Sequence, residues 1–137
     1  RRELKRLVKV FDMSENCLWL DWVEDLTPLL SSLDVFVSPS HSESFGLAIL
    51  EAMANHTAVI ATATLGAEDL LSDSSLIVPV RDPLSLANAI VDLVANPERC
   101  REIGIRLGNS ARERFSLERM VSATESLYDR VTAETSR

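Results

Sequence analysis

Glu43 and Glu51 are the two residues of this chain whose type and spacing suit joint chemistry. In one continuous helix they would stand about 12 Å apart along the axis. Glu43 is better read in the polar loop Ser40-His41-Ser42-Glu43-Ser44, which allows a smaller separation. A carboxylate pair acting across one glycosidic bond stands roughly 5 to 9.5 Å apart, and this spacing is not built for that task. It suits gripping two ends of a long ligand. Between the two acids, Ser44, Phe45 and Gly46 put free backbone N–H groups at a helix start, a site for phosphate. Glycine at position 46 allows the backbone close approach to its ligand. The residues therefore describe an extended ligand with hydroxyls at both ends and phosphate in the middle.

The elements that must position this pair are short and well marked. Asp34 to Val37 is an apolar run stopped by Ser38-Pro39, as expected of a buried strand opening into a loop. Gly46 to Ala54 is built from strong helix formers, and Ala58 to Ala61 is a second buried run. In parallel α/β sheets, ligands sit beyond the carboxyl ends of the strands, so the loop from Pro39 to Gly46 is where chemistry is expected. Ser38, His41 and Glu43 do not make a hydrolytic triad, because triad members come from separate parts of a chain. The sequence also has no Gly-x-Ser-x-Gly elbow.

Glu43-Ser-Phe-Gly-Leu-Ala-Ile-Leu-Glu51-Ala-Met-Ala resembles the Glu-x7-Glu signature of retaining GT-B glycosyltransferases, the group called family 4 or glycosyl transferases group 1. Ser38-Pro39-Ser40 before it and Ala58 to Thr62 after it match as well, and the resemblance runs through most of the chain. It implies that Glu43 touches the donor sugar as the catalytic residue and that Glu51 holds the ribose. The backbone of Ser44, Phe45, Gly46 and Leu47 would face the phosphates. It further implies transfer of a hexose, with retention, from a nucleotide diphosphate sugar to a hydroxyl of a glycan, lipid or small-molecule acceptor. The donor is a substrate, so no cofactor is implied. The fold expected is α/β: a Rossmann-like, mostly parallel sheet with flanking helices, the C-terminal half of a GT-B fold, with C-terminal helices packed on it.

The remaining segments are read in the same terms. Leu4, Leu7, Val8 and Phe11 mark an amphipathic helix, whose basic face suits solvent better than a membrane surface. Cys17 to Leu20 reads as a strand, giving four strands with Asp34 to Val37, Ala58 to Ala61 and Leu76 to Val78. Asp21, in a loop near the nucleotide base, stands where the family has glycine. After the central helix, Asn55-His56 reads as a left-handed helix end. Thr62 to Leu71 reads as a second loop at the strand ends, in which Gly66 and Asp69 are the nearest equivalents of a Gly-Gly-x-x-Glu run lining the donor. Asp82-Pro83 starts a helix with Leu84, Ala87, Ile90, Val91 and Val94 as its buried stripe. Asn96-Pro97 starts another, expected to end near Gly108. Ser116 opens a third, with Leu117, Met120, Val121, Thr124, Leu127, Tyr128 and Val131 on one face.

Composition narrows the classes. The 137 residues are 46% hydrophobic, enough for one domain with a core. A net charge of −7 argues against binding nucleic acid or an anionic membrane through charge. No apolar run is long enough to span a bilayer. Cys17 and Cys100 read as reduced thiols of a cytosolic protein, at most peripheral at the cytoplasmic face of a membrane. His41 and His56 have no partners at metal-ligand spacing, so no metal is implied. Four glycines and no Gly-x-Gly-x-x-Gly speak against a dinucleotide oxidoreductase.

The chain starts at Arg1 without a methionine, and residues 1–137 are expected to be a single nucleotide-sugar-binding domain lacking its first strands and the N-terminal acceptor domain. The arginine and lysine that neutralise the pyrophosphate in the family belong to that upstream part, so the chain alone is expected to bind donor weakly and turn nothing over. The departures at Asp21, His56 and Asp69 supply the alternative, a non-catalytic nucleotide-sugar-binding or assembly module of the same fold. An epimerase or phosphorylase of this architecture fits the two glutamates less well.

Overall fold

A computed structural model describes residues 1–135. Three parallel strands, β1 (Val35–Ser38), β2 (Ala58–Thr62) and β3 (Ile77–Val78), pair in that order. β1 and β2 run in register from Val35 opposite Ala58 to Ser38 opposite Ala61, and β3 adds Ile77 opposite Ala61. β2 is buried along its whole length, which is why Ala-Val-Ile-Ala-Thr shows no polar alternation. Helices α1 (Arg2–Val10), α2 (Thr27–Ser31), α3 (Leu47–Ala54), α4 (Leu65–Leu70), α5 (Pro83–Val94), α6 (Pro97–Arg114) and α7 (Leu117–Thr135) complete the chain. Ile49 and Met53 of α3, Val59 and Ile60 of β2, Leu70 of α4 and the following Leu71 and Leu76 form the centre of the core.

The turn after α3 follows the expectation for Asn55-His56. His56 has φ 57°, and its N–H donates to the Met53 carbonyl while that of Thr57 donates to Ala52. This crossed pair is the Schellman closure of a helix. Thr57 is buried, and its hydroxyl donates to the Leu30 carbonyl at 2.8 Å, tying the end of α2 to the start of β2. Against the same turn lies α6. A Cβ on Gly104 would stand 2.1 Å from the His56 carbonyl oxygen, and one on Gly108 would stand 2.1 Å from its Nδ1.

That contact explains one departure from the sequence reading. Helix α6 does not end near Gly108 but continues to Arg114. Glycine in a helix interior costs roughly 0.5–1 kcal/mol, and here it serves close packing rather than termination. A second departure is Cys17–Leu20, which is not a strand. Cys17 has extended backbone angles, but the sheet ends at β1 and the segment has no ladder partner among the described residues. Thr62 to Leu71 is a third, since most of it is helix α4. In α5 the expected buried stripe is rotated. Leu93 is buried and Leu86, Ala89 and Ile90 are half-buried, whereas Leu84, Ala87, Val91 and Val94 are exposed. The helix is apolar on more than one side, so periodicity did not single out the face that docks on the sheet and α6. Helix α1 forms as expected but buries no residue. The apolar face of α7 is likewise exposed at Leu117, Met120 and Leu127.

Asp73 fastens the connection before β3. It accepts from the amide and hydroxyl of Ser75 and from Arg106 of α6 at 2.5 Å. The Ser75 hydroxyl and then the Arg106 guanidinium lower its pKa from 3.8 to about 2. A depressed carboxylate stabilises the fold fully above its unfolded value of 3.8, and that contribution is lost as pH falls through about 2. We therefore expect the melting temperature of Asp73→Asn to depend less steeply on pH between 4 and 2 than that of the wild type. Equal slopes in thermal melts across that range would assign the acid sensitivity to other groups.

Candidate functional site

The carboxyl ends of β1 and β2 carry the two segments in which chemistry was expected. Thr62, the last residue of β2, is buried and cannot leave its hydroxyl unpaired. The hydroxyl reaches the Ser40 carbonyl at 2.5 Å and the Ser38 carbonyl at 3.2 Å. One side chain thus holds the Ser38-Pro39-Ser40 turn against the neighbouring strand. Two residues on, Thr64 caps α4 by accepting from the amide of Ala67 at 3.3 Å.

Glu43 lies in the loop before α3 and is half-buried. Its Cγ stands 3.4 Å from the point where a Cβ on Gly46 would lie, so the side chain folds against the first turn of the helix. Gly46 is the N-cap, with φ 91° and ψ 55°, a left-handed conformation that glycine takes without penalty. No side chain caps this helix, so the N–H groups of its first turn remain for a ligand. Ser44 and Leu47 are exposed beside it, and Phe45 is half-exposed. Glu51 is exposed on the second turn of α3, about 7–8 Å of axis beyond the N-cap. The two acids therefore flank one open helix start.

Glu51 stands on a ridge between two cavities. One, of about 550 Å³, lies between α3 and the segment from Leu20 to Leu30, with Trp22, Asp25, Glu51 and Asn55 in its wall. The other, of about 350 Å³, lies between α3 and the end of α6, with Glu51, Arg112 and Phe115 in its wall. Asn55 is fixed in the first cavity by donating to the Glu51 carbonyl at 2.9 Å and accepting from the Ser31 hydroxyl at 3.3 Å. Asp25 is held ionised by the Thr27 amide and hydroxyl, which lower its pKa. The wall is thus acidic and rich in acceptors, suited to hydroxyl and N–H groups, while the helix start suits an anion. Among the described residues, no His, Cys, Asp and Glu side chains group so as to hold a metal ion.

The second segment meets the first directly. The amide of Gly66 donates to the Glu43 carbonyl at 3.0 Å. A Cβ on Gly66 would stand 2.5 Å from the carbonyl carbon and oxygen of Phe45. The close approach that Gly66 permits is therefore to the Phe45 backbone, and Gly66 itself is buried. Asp69 is exposed on the last turn of α4, and its carbonyl accepts from Arg114 at 2.6 Å. Arg114 also donates to the Leu70 carbonyl and the Ser72 hydroxyl, and Phe115 meets Phe45 edge to face. Neither Arg114 nor Phe115 was singled out in the sequence. The only signal there is an Arg-Phe pair just before a helix-opening serine, with nothing to connect it to a loop some 70 positions earlier.

A parallel sheet of this order, flanked by helices and with an uncapped helix start at its carboxyl end, makes the chain an α/β module. Residues 1–96 match the family model for glycosyl transferases group 1, and the chain belongs to that family. It is 33% identical over 129 residues to the lipopolysaccharide core biosynthesis mannosyltransferase LpcC of Rhizobium leguminosarum bv. viciae, covering 93% of this chain and 37% of that protein. It is 31% identical to N-acetyl-alpha-D-glucosaminyl L-malate synthase of Bacillus anthracis, covering 90% and 33% respectively. Among solved structures, sucrose-phosphate synthase from Thermosynechococcus elongatus superposes with a TM-score of 0.90 at 31% identity, over 97% of this chain and 34% of that one. The fold is that of a GT-B glycosyltransferase, and the chain spans about a third of the length of these relatives. Among the described residues, no helix is long and apolar enough to cross a membrane.

The Gly66 contact is testable without a ligand. Backbone lies opposite the missing Cβ and cannot rotate away, so Gly66→Ala should displace the Glu43 to Gly46 loop. Overpacking of this kind costs about 1–3 kcal/mol. Urea unfolding should show that loss, with faster amide exchange at Ser44 to Gly46. Unchanged stability and exchange would mean that the two segments separate without cost.

Proposed function

We propose that this chain is the donor-binding part of a hexosyltransferase that moves a sugar, with retention, from a nucleotide diphosphate sugar to a hydroxyl acceptor. The observation that carries the reading is the placement of Glu43 and Glu51 on either side of the uncapped start of α3. The diphosphate would lie across the first-turn N–H groups, where the helix dipole favours negative charge. Glu51 would accept from the ribose hydroxyls, with the base in the cavity that Trp22 and Asn55 line. Glu43 would hold the hydroxyls of the transferred sugar near the carbon that loses the diphosphate. The resemblance of Glu43 to Glu51 to the signature of retaining GT-B glycosyltransferases supports retention, and the activities named for the chain's relatives, a mannosyltransferase among them, support a hexose.

Mechanistically, the chain's part is to orient and to stabilise. As the bond from sugar to diphosphate breaks, negative charge grows on the leaving oxygens. Fixed N–H dipoles there stabilise the transition state more than the ground state. Gripping the donor at both ends keeps the sugar carbon in place while that charge develops. The acceptor is assigned to the part of the protein outside this chain, which spans about a third of its relatives. No resident cofactor enters the reading, because the donor brings the activated group itself.

Two substitutions separate the roles, both measured on the whole protein. Glu51→Ala should weaken binding of the preferred nucleoside diphosphate in a calorimetric titration by about 1.5–3 kcal/mol, the worth of hydrogen bonds to a charged group. Its melting temperature should hold, because Glu51 is exposed. Unaltered affinity with a large loss of stability would make Glu51 structural. Glu43→Ala should lower turnover more than donor affinity, since the sugar end reacts and the nucleotide end does not. Equal losses in both would place Glu43 in binding alone.

A further inference from the structure

We propose that Phe115, at the joint between α6 and α7, is a positioning residue for the donor site, acting through the ring of Phe45. The inference rests on the donor-site reading for its function, though not for its geometry. The two rings meet with centroids 5.9 Å apart and planes at 75°, an edge-to-face arrangement that aromatic pairs favour. Phe45 belongs to a loop otherwise exposed at His41, Ser42 and Ser44. Its backbone rests on Gly66, and its ring is met by Phe115.

Arg114 joins these two supports. Its guanidinium lies 4.8 Å from the centre of the Phe115 ring and donates to the carbonyls of Asp69 and Leu70 at the end of α4. One residue thus ties α4, which carries Gly66, to the residue that carries the second ring. The Phe115 amide donates to the Ala111 carbonyl at 3.0 Å, so the ring is held by the last turn of α6. The backbone so held is that of Ser44, Phe45 and Gly46, which leads into the open first turn of α3. A ring at position 115 would then set where the phosphate-facing N–H groups lie without touching the ligand.

The test compares wild type, Phe115→Ala, Phe115→Leu, Phe45→Ala and the double alanine variant in the whole protein. Amide exchange is read at Ser44 to Gly46, with Val59 and Ile60 of the buried strand as the reference for global opening. Affinity is read by titration with nucleoside diphosphates. An aromatic pair is worth about 0.5–1.5 kcal/mol, so Phe115→Ala should speed loop exchange and weaken affinity by about twofold to tenfold, with the reference amides unmoved. In the Phe45→Ala background the same change should add nothing, because the route through the ring is already gone. Phe115→Leu, which keeps apolar volume without a ring edge, should fall between, and it carries the comparison if the alanine variant does not fold. Unchanged loop exchange in both Phe115 variants, or equal effects with and without the Phe45 ring, would overturn the proposal. A wild-type protein that binds no nucleoside diphosphate would instead overturn the donor-site reading, and loop exchange alone would then decide whether Phe115 positions the loop.

Discussion

Burial of β2 on both faces is the constraint from which the rest of the structure follows. Its five residues are at most 5% exposed, so every polar group at its ends must find a partner inside the protein. Thr57 before the strand and Thr62 at its end supply those partners through their hydroxyls. Each bond also fixes something outside the strand: Thr57 fixes the end of α2, and Thr62 fixes the turn after β1. Satisfying the buried strand therefore fastens one element at each of its ends, α2 at the amino end and the Pro39 turn at the carboxyl end. The candidate site lies at the carboxyl end, where ligands of parallel α/β sheets are found.

The loops beyond those strand ends need more than one fastening, because loops carry few buried apolar contacts of their own. Here they fasten to each other. Gly66 brings α4 onto the Phe45 backbone, and the end of α6 closes over the Phe45 ring. A site for an extended ligand has to hold its donors and acceptors within fractions of an ångström, and that precision comes from the shell around the binding groups. In this protein the shell is drawn from residues 45, 66, 114 and 115, none of which carries the acid chemistry.

What the sequence revealed and what it hid divide along the range of the interactions. β1, the loop, α3 and β2 were legible because each is encoded locally, by apolar runs, a Ser-Pro stop and a left-handed turn at Asn55-His56. The placement of Glu43 before the helix and Glu51 on it followed from the same local signals. The misread elements all depend on distant partners. Cys17 to Leu20 has strand composition, but a strand exists only with a neighbour to pair with. Gly108 looks like a stop until His56, 52 positions earlier, is placed beside it. The docking face of α5 could not be chosen from a helix apolar on two sides. Phe115 was invisible for the same reason, since its importance lies in a ring far away in sequence.

The chain's four glycines show how the two ranges meet. Gly46 and Gly66 crowd the start of α3, one turning the backbone left-handed and the other admitting the Phe45 backbone. Gly104 and Gly108 crowd its end, admitting the His56 carbonyl and ring. An eight-residue helix is too short to be stable by its own hydrogen bonds, so its position is set by what it touches. Ile49, Ala52 and Met53 bury one face of α3 in the core, and the glycine contacts at its two ends add to that hold. Rotation by one residue would carry Glu51 about 100° around the helix and out of the cleft. The direction of that single carboxylate thus follows from the buried face of α3 together with the glycine contacts at its ends. Packing thus sets the position of α3, and with it the position of Glu51.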